Sequence, residues 1–193
     1  MPNSPPHVVL IAGPNGAGKS TCAPDLLRDH FQIREFVNAD VIAEGLSAFD
    51  VEAVAMEAGR IMLQRIAELS KHRVSFAFET TLASRSFASL LRQLRKTGYQ
   101  THMLFFWLPS PEFAIARVQT RVASGGHHVP DVIVRRRYVR GLSNFMNLYR
   151  PLLNTWQLFD ATRKMETNRI ARFDSGDLEV INESLWRIIL ESK

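Results

Sequence analysis

Gly13-Pro14-Asn15-Gly16-Ala17-Gly18-Lys19-Ser20 has the residue types and spacing of a loop that grips phosphate. Every constrained position of G-x-x-x-x-G-K-[ST] is met. Glycines let backbone N–H groups converge on phosphate oxygens with no Cβ in the way. A helix beginning at the loop's end adds partial positive charge at the same place. In that setting Lys19 reaches the β- and γ-phosphates, Ser20 ligates Mg²⁺, and Thr21 follows at the loop's exit. The expected ligand is ATP with Mg²⁺.

Phosphoryl transfer also needs an acceptor hydroxyl in line, a group to take its proton, and positive charge over the transferring phosphate. Two isolated carboxylates, Asp40 and Glu79, follow short apolar runs. Asp40 is the candidate base; its alternative role is N-cap of a helix beginning at Val41. Glu79 could bind substrate hydroxyls, hold Mg²⁺ through water, or serve as a structural acid. Thr80 and Thr81 offer hydroxyls beside it. Positive charge is concentrated in Arg117, Arg121, Arg135, Arg136, Arg137 and Arg140. Arg117 and Arg121, four apart, share one helix face. Three successive arginines cannot all face one site, because each helical step turns about 100°. One or two of them are expected to reach phosphate; the alternative for any one is a solvated basic face. His127 and His128 follow Gly125-Gly126 in a flexible loop and are read as lid or phosphate-contact residues, the lid region spanning about 121–140. They lack the spacing of a metal site.

These groups need a scaffold that brings loop ends together. Val8-Val9-Leu10-Ile11-Ala12 reads as a strand and the segment after Lys19 as a helix. Further strands are expected at 35–37, 74–78, 102–108, 156–160 and 169–173. Helices are expected over 51–71, 84–97, 110–123, 131–148 and 178–190. Alternating strands and helices imply a three-layer α/β fold with a central, mainly parallel sheet of five or six strands and a helical lid. In such sheets the working residues lie beyond the C-terminal ends of the strands. Those ends are Gly13 to Ser20, Asn38 to Asp40, Glu79 to Thr81, Leu108 to Ser110 and Asp160 to Thr162.

The 193 residues suit one domain spanning the whole chain. A hydrophobic share of 46% supplies a core. The net charge of +5 favours anionic partners. No RNA or DNA recognition motif is present, so nucleic acid ranks low among them. No run of about 18 apolar residues marks a membrane span, and the first residues lack the layout of a leader. With Cys22 as the single cysteine, a cytoplasmic location is expected.

The string from Ala12 to Thr21, with Val37-Asn38-Ala39-Asp40, Phe78-Glu79-Thr80-Thr81-Leu82, Gly125-Gly126-His127, Val129-Pro130 and Arg135-Arg136-Arg137-Tyr138, resembles the zeta toxin family of P-loop kinases. The likeness runs over roughly residues 8–160. It implies ATP-dependent phosphorylation of a sugar nucleotide, the 3′-hydroxyl of UDP-N-acetylglucosamine in the best-known members, and an antitoxin partner. By the same resemblance Asp40 is the base, Lys19 and Ser20 hold ATP and Mg²⁺, and Glu79 and Thr81 bind the acceptor. Arg121 clamps phosphate, with Arg136 as its candidate second and Arg135 beside the nucleotide. Characterised toxins carry an arginine where this chain has Ala83-Ser84. Other acceptors, a small metabolite or a nucleic-acid end, keep the same fold. An ATP-switched nucleic-acid binder is the reading from another class.

Overall fold

The computed structural model describes residues 4–163 and 168–192. Residues 1–3, part of the stretch read above for a leader, lie outside the described residues.

Strand β1 (His7–Ala12) leads through the glycine loop into α1 (Lys19–Leu26), and β2 (Glu35–Val37) into α2 (Ala39–Leu46) and α3 (Ala55–Lys71). Strand β3 (Phe76–Thr80) precedes α4 (Phe87–Lys96); β4 (Gln100–Trp107) precedes α5 (Pro111–Ala123) and α6 (Asp131–Asn144). After a wider helical turn, Phe145–Tyr149, come β5 (Thr155–Asp160), the hairpin β6 (Arg169–Asp174) and β7 (Asp177–Val180), and α7 (Glu183–Glu191).

One sheet holds the strands in the order β2-β3-β1-β4-β5-β6-β7. The pairings from β2 to β5 are parallel, and β6 and β7 add an antiparallel edge. Side chains alternate across the sheet, and the burial follows. Val8 and Leu10 face one helical layer with Met62, Ile66, Leu91 and Trp186. Val9 and Ile11 face the other, with Ala23, Ile115 and Val118. All four of these β1 residues are fully buried, which is why β1 reads as an unbroken apolar run.

Helix α6 joins the two layers. Val134 and Tyr138 pack in one and Leu142 in the other, followed there by Phe145 and Tyr149. It therefore crosses the sheet at the edge where the strands end, and the Tyr138 hydroxyl pins it by donating to Leu108 O at 2.7 Å.

Three expectations shift. The helix expected from 51 begins at Ala55, because Asp50 N donates to Ser47 Oγ and Ala53 N to Asp50 Oδ1, holding turns that delay it. The sheet has seven strands, not five or six. The added β7 lies where a closing helix was expected from 178. Ser175 and Gly176, both at positive φ, make a two-residue hairpin turn after β6, and α7 starts only at its Asn182 cap.

Candidate active site

The loop after β1 can form only because Gly13 has no side chain. A Cβ there would lie 2.3 Å from Phe106 O, and its φ is +139°. Lys19, 6% exposed, folds back so that its Nζ donates to Pro14 O at 2.9 Å. The same Nζ is 3.5 Å from Glu79 Oε1. Burial lowers the Lys19 pKa, and the Glu79 and Asp40 carboxylates oppose that shift in part.

Parallel register sets Glu79 beside Ile11, two residues before Gly13. Its Oε2 accepts from Ser20 Oγ at 2.7 Å and from Asn38 Nδ2 at 3.0 Å. Ser20 and Glu79 thus present a hydroxyl and a carboxylate side by side, hard oxygens of the kind Mg²⁺ takes. Asn38 is the cap of α2: its Oδ1 accepts from Asp40 N at 2.8 Å. That corrects the alternative in which Asp40 itself caps the helix. Asp40 sits in the first turn, exposed, and its carboxylate has no hydrogen-bond partner among the described residues.

Two adjoining cavities meet here. The larger, about 500 Å³, is lined by Asn15, Gly16 and Gly18 to Thr21 of the loop and by Arg117, Thr120, Arg121 and Ser124 of the α5 end. The smaller, about 190 Å³, is lined by Asn38, Met62, Thr80, Thr81, Phe87 and Arg137. Asn15, Lys19, Asp40 and Glu79 line both. Asn15 is buried, and its Oδ1 has no partner among the described residues.

The other expected residues fall as follows. Gly16, Gly18, Ser20 and Thr21 line the larger cavity, while Gly13, Pro14 and Ala17 shape the loop without lining either. Arg117 donates to Ala161 O at 3.0 Å, and Arg121 to His127 O at 2.8 Å. Of the arginine triplet, Arg137 alone lines either cavity. Arg135 is paired with Glu112 on the exposed surface, and the bond lowers the Glu112 pKa. Arg136 is exposed. The geometry therefore does not bring Arg135 and Arg136 to the phosphate loop. His127 and His128 line a separate cleft with Glu44, Asp50 and Glu52.

Reading the sequence missed Asn38, Met62 and Phe87 as lining residues, and it left open which arginine of the triplet faces inward. A signal existed for Asn38 alone, since Asn directly after a strand is a favoured helix cap.

A family model described as zeta toxin matches residues 1–184. A Haemophilus influenzae protein described as uncharacterized is 28% identical over 130 residues, covering 67% of this chain and 91% of that one. Among solved structures, the AvrRxo1-ORF1:AvrRxo1-ORF2 complex with sulphate ions aligns at TM-score 0.79 and 18% identity. The same complex with ATP aligns at 0.77 and 19%. Each alignment covers 97% of this chain and 64% of that one, so the chain spans under two thirds of that protein. The PezAT chromosomal toxin-antitoxin system of Streptococcus pneumoniae aligns at TM-score 0.63 and 14% identity, over 100% of this chain and 87% of that one. At these identities the structural likeness is one of fold.

Proposed function

The chain belongs to the zeta toxin family, and on that premise we propose that it is an ATP-dependent kinase that phosphorylates a hydroxyl of a sugar nucleotide, the 3′-hydroxyl of UDP-N-acetylglucosamine. The carrying observation is the seam of Asn15, Lys19, Asp40 and Glu79 shared by the two cavities. A transferring phosphate must pass from a donor site to an acceptor site, and both charges needed for transfer stand at their junction.

In this reading the larger cavity holds ATP. The loop amides and Lys19 grip its phosphates, and Arg117 and Arg121 close over them from α5. Ser20 and Glu79 are the groups that would hold Mg²⁺. When bound, the ion neutralises charge on the β- and γ-phosphates. Asp40, free of cap duty, accepts the proton of the acceptor hydroxyl. That oxygen bonds to the γ-phosphorus as the bond to the β–γ bridging oxygen breaks, and ADP leaves. Arg137 lines the smaller cavity from α6 and in this reading offsets the developing charge.

The smaller cavity, about 190 Å³, is below the roughly 300–1,000 Å³ of sites that enclose a drug-sized ligand. It suits the sugar ring, with the rest of a sugar nucleotide lying outside. Thr80 and Thr81 offer hydrogen bonds to ring hydroxyls. An antitoxin partner is part of the proposal, supported by the toxin-antitoxin system among the structural neighbours.

The deciding experiment measures ATP consumption with and without UDP-N-acetylglucosamine, followed by mass analysis of the product. Sugar-dependent consumption and a product heavier by one phosphoryl group are expected. ATP consumption driven by a different small hydroxyl compound, and not by this one, would overturn the sugar-nucleotide acceptor and leave the kinase.

A further inference from the structure

The turn that carries Thr80 and Thr81 into the smaller cavity is held in an unfavourable shape. Leu82 has φ +60° and is fully buried, although a branched residue rarely adopts the left-handed region. Leu82 N donates to Thr80 Oγ1 at 2.9 Å, which leaves the Thr80 hydroxyl hydrogen for the cavity. Such strain persists only where the surroundings over-determine it.

Here the surroundings are one stripe of α6 and its continuation. A Cβ on Gly141 would lie 2.4 Å from Thr81 O, so helix and turn touch backbone to backbone. Asn144 Nδ2 donates to Leu82 O at 2.9 Å and to Ala83 O at 3.3 Å. The Tyr149 hydroxyl donates to Ser84 O at 2.7 Å. Successive carbonyls from Thr81 to Ser84 are all met from this side. Arg137, Gly141 and Asn144 fall on one helical face by their spacing of four and three. The helix that brings Arg137 to the cavity thus also holds the turn that carries Thr80 and Thr81 there.

We propose that Gly141 and Asn144 are positioning residues for the acceptor. By holding Leu82 in its left-handed shape, they set where Thr80 and Thr81 meet the acceptor, and so which acceptor fits. This rests on the reading of the smaller cavity as the acceptor site. It adds that selectivity is set by α6, through residues that touch neither substrate.

The test compares the full chain with Asn144→Ala, Gly141→Ala and, as the conservative variant, Asn144→Gln. Three readouts are taken: amide exchange over residues 80–85, affinity for a fluorescent ATP analogue, and steady-state kinetics with UDP-N-acetylglucosamine. Asn144→Ala is expected to speed exchange and raise the KM for the sugar nucleotide, each by about tenfold, with kcat and ATP-analogue affinity within about twofold. Gly141→Ala, whose Cβ would meet Thr81 O at 2.4 Å, is expected to speed exchange over the same residues, and Asn144→Gln recovers part of the loss seen in Asn144→Ala. Should Asn144→Ala not fold, Asn144→Asp carries the same readouts, being of equal size and lacking the amide donor. Unchanged exchange, or ATP affinity and kcat falling along with the KM change, overturns the proposal. No turnover of UDP-N-acetylglucosamine by the unsubstituted chain would instead count against the acceptor named above. In that case faster exchange with unchanged basal ATP hydrolysis supports the clamp, and unchanged exchange overturns it.

Discussion

The Ser20 hydroxyl donates a 2.7 Å hydrogen bond to Glu79 Oε2, tying the first turn of α1 to the end of β3. The second oxygen of that carboxylate faces Lys19 at 3.5 Å, and Asn38 holds the first from the α2 side. Glu79 is therefore the point at which loop, strand and cap converge. Glu79→Gln keeps the shape and removes the charge. It should weaken the apparent affinity for Mg²⁺ in ATP turnover by about 10–100-fold, the usual cost of losing a group that supports a metal site. A Mg²⁺ titration at fixed ATP reads this directly. An unmoved midpoint would assign Glu79 to the acceptor alone.

Asp40 and Asn38 are two residues apart and separate cleanly by experiment. Asp40→Asn removes the proposed base and should lower phosphoryl transfer by about 10²–10⁴-fold. Affinity for a fluorescent ATP analogue and Tm should stay close to those of the unsubstituted chain, because Asp40 does not cap α2. Asn38→Ala removes the cap and should cost about 0.5–2 kcal/mol in chemical denaturation. Equal loss of stability in both variants would mean that Asp40 holds the helix after all.

The arginine triplet gives an equally sharp contrast. Arg137 lines the acceptor cavity, and Arg137→Ala should cut turnover by about 10²–10³-fold, as loss of one group aimed at developing charge does. Arg135 lies on the exposed surface against Glu112. Arg135→Ala and Arg136→Ala should leave turnover within about twofold, since exposed ion pairs contribute little and are screened by salt. Side-by-side kinetics of the three variants decide it. A larger loss for Arg135→Ala than for Arg137→Ala would mean that α6 turns when substrates bind.

The phosphate loop and its flanking strand and helix were legible because each needs local signals alone: a β-branched run, glycines at fixed offsets, and a helix start. Glu79 was legible through the strand-end rule, and the register with Ile11 shows why that rule works here. The triplet was not legible. Which arginine faces inward depends on the rotation of α6, and that is fixed by contacts far away in sequence, Tyr138 to Leu108 O and Gly141 against Thr81 O. A helix beginning at Val41 would make Asp40 its cap; the helix begins at Ala39 with Asn38 as its cap, and boundaries carry the weakest sequence signal. Strand β7 was hidden by Leu178, Val180 and Ile181, whose spacing merges with the apolar pattern of α7; the Ser175-Gly176 turn was the overlooked cue.

The opposite end of the sheet carries a pH dependence of its own. His102, 8% exposed, has Nε2 2.9 Å from His7 Nδ1 and Nδ1 2.8 Å from Thr155 Oγ1. These contacts join the first residues of β1 and β5 to the third residue of β4. Burial lowers the His102 pKa from 6.5 to about 4, His7 pushes it the same way, and Asp174 opposes. Folded His102 is therefore neutral at pH values where the unfolded chain already binds a proton. The unfolded state holds more protons between pH 6.5 and about 4, so stability rises with pH across that window. The contribution is fully present above pH 6.5 and is lost as the pH falls toward 4. At about 1.36 kcal/mol per unit it reaches on the order of 3 kcal/mol, or roughly 2–4 °C of Tm for each kcal/mol in a chain of this size. His102→Gln keeps a hydrogen-bonding side chain and does not titrate. Its Tm should change less steeply than that of the unsubstituted chain as the pH is lowered from 6.5 to 5. Parallel curves for the two proteins would show that His102 does not control acid stability.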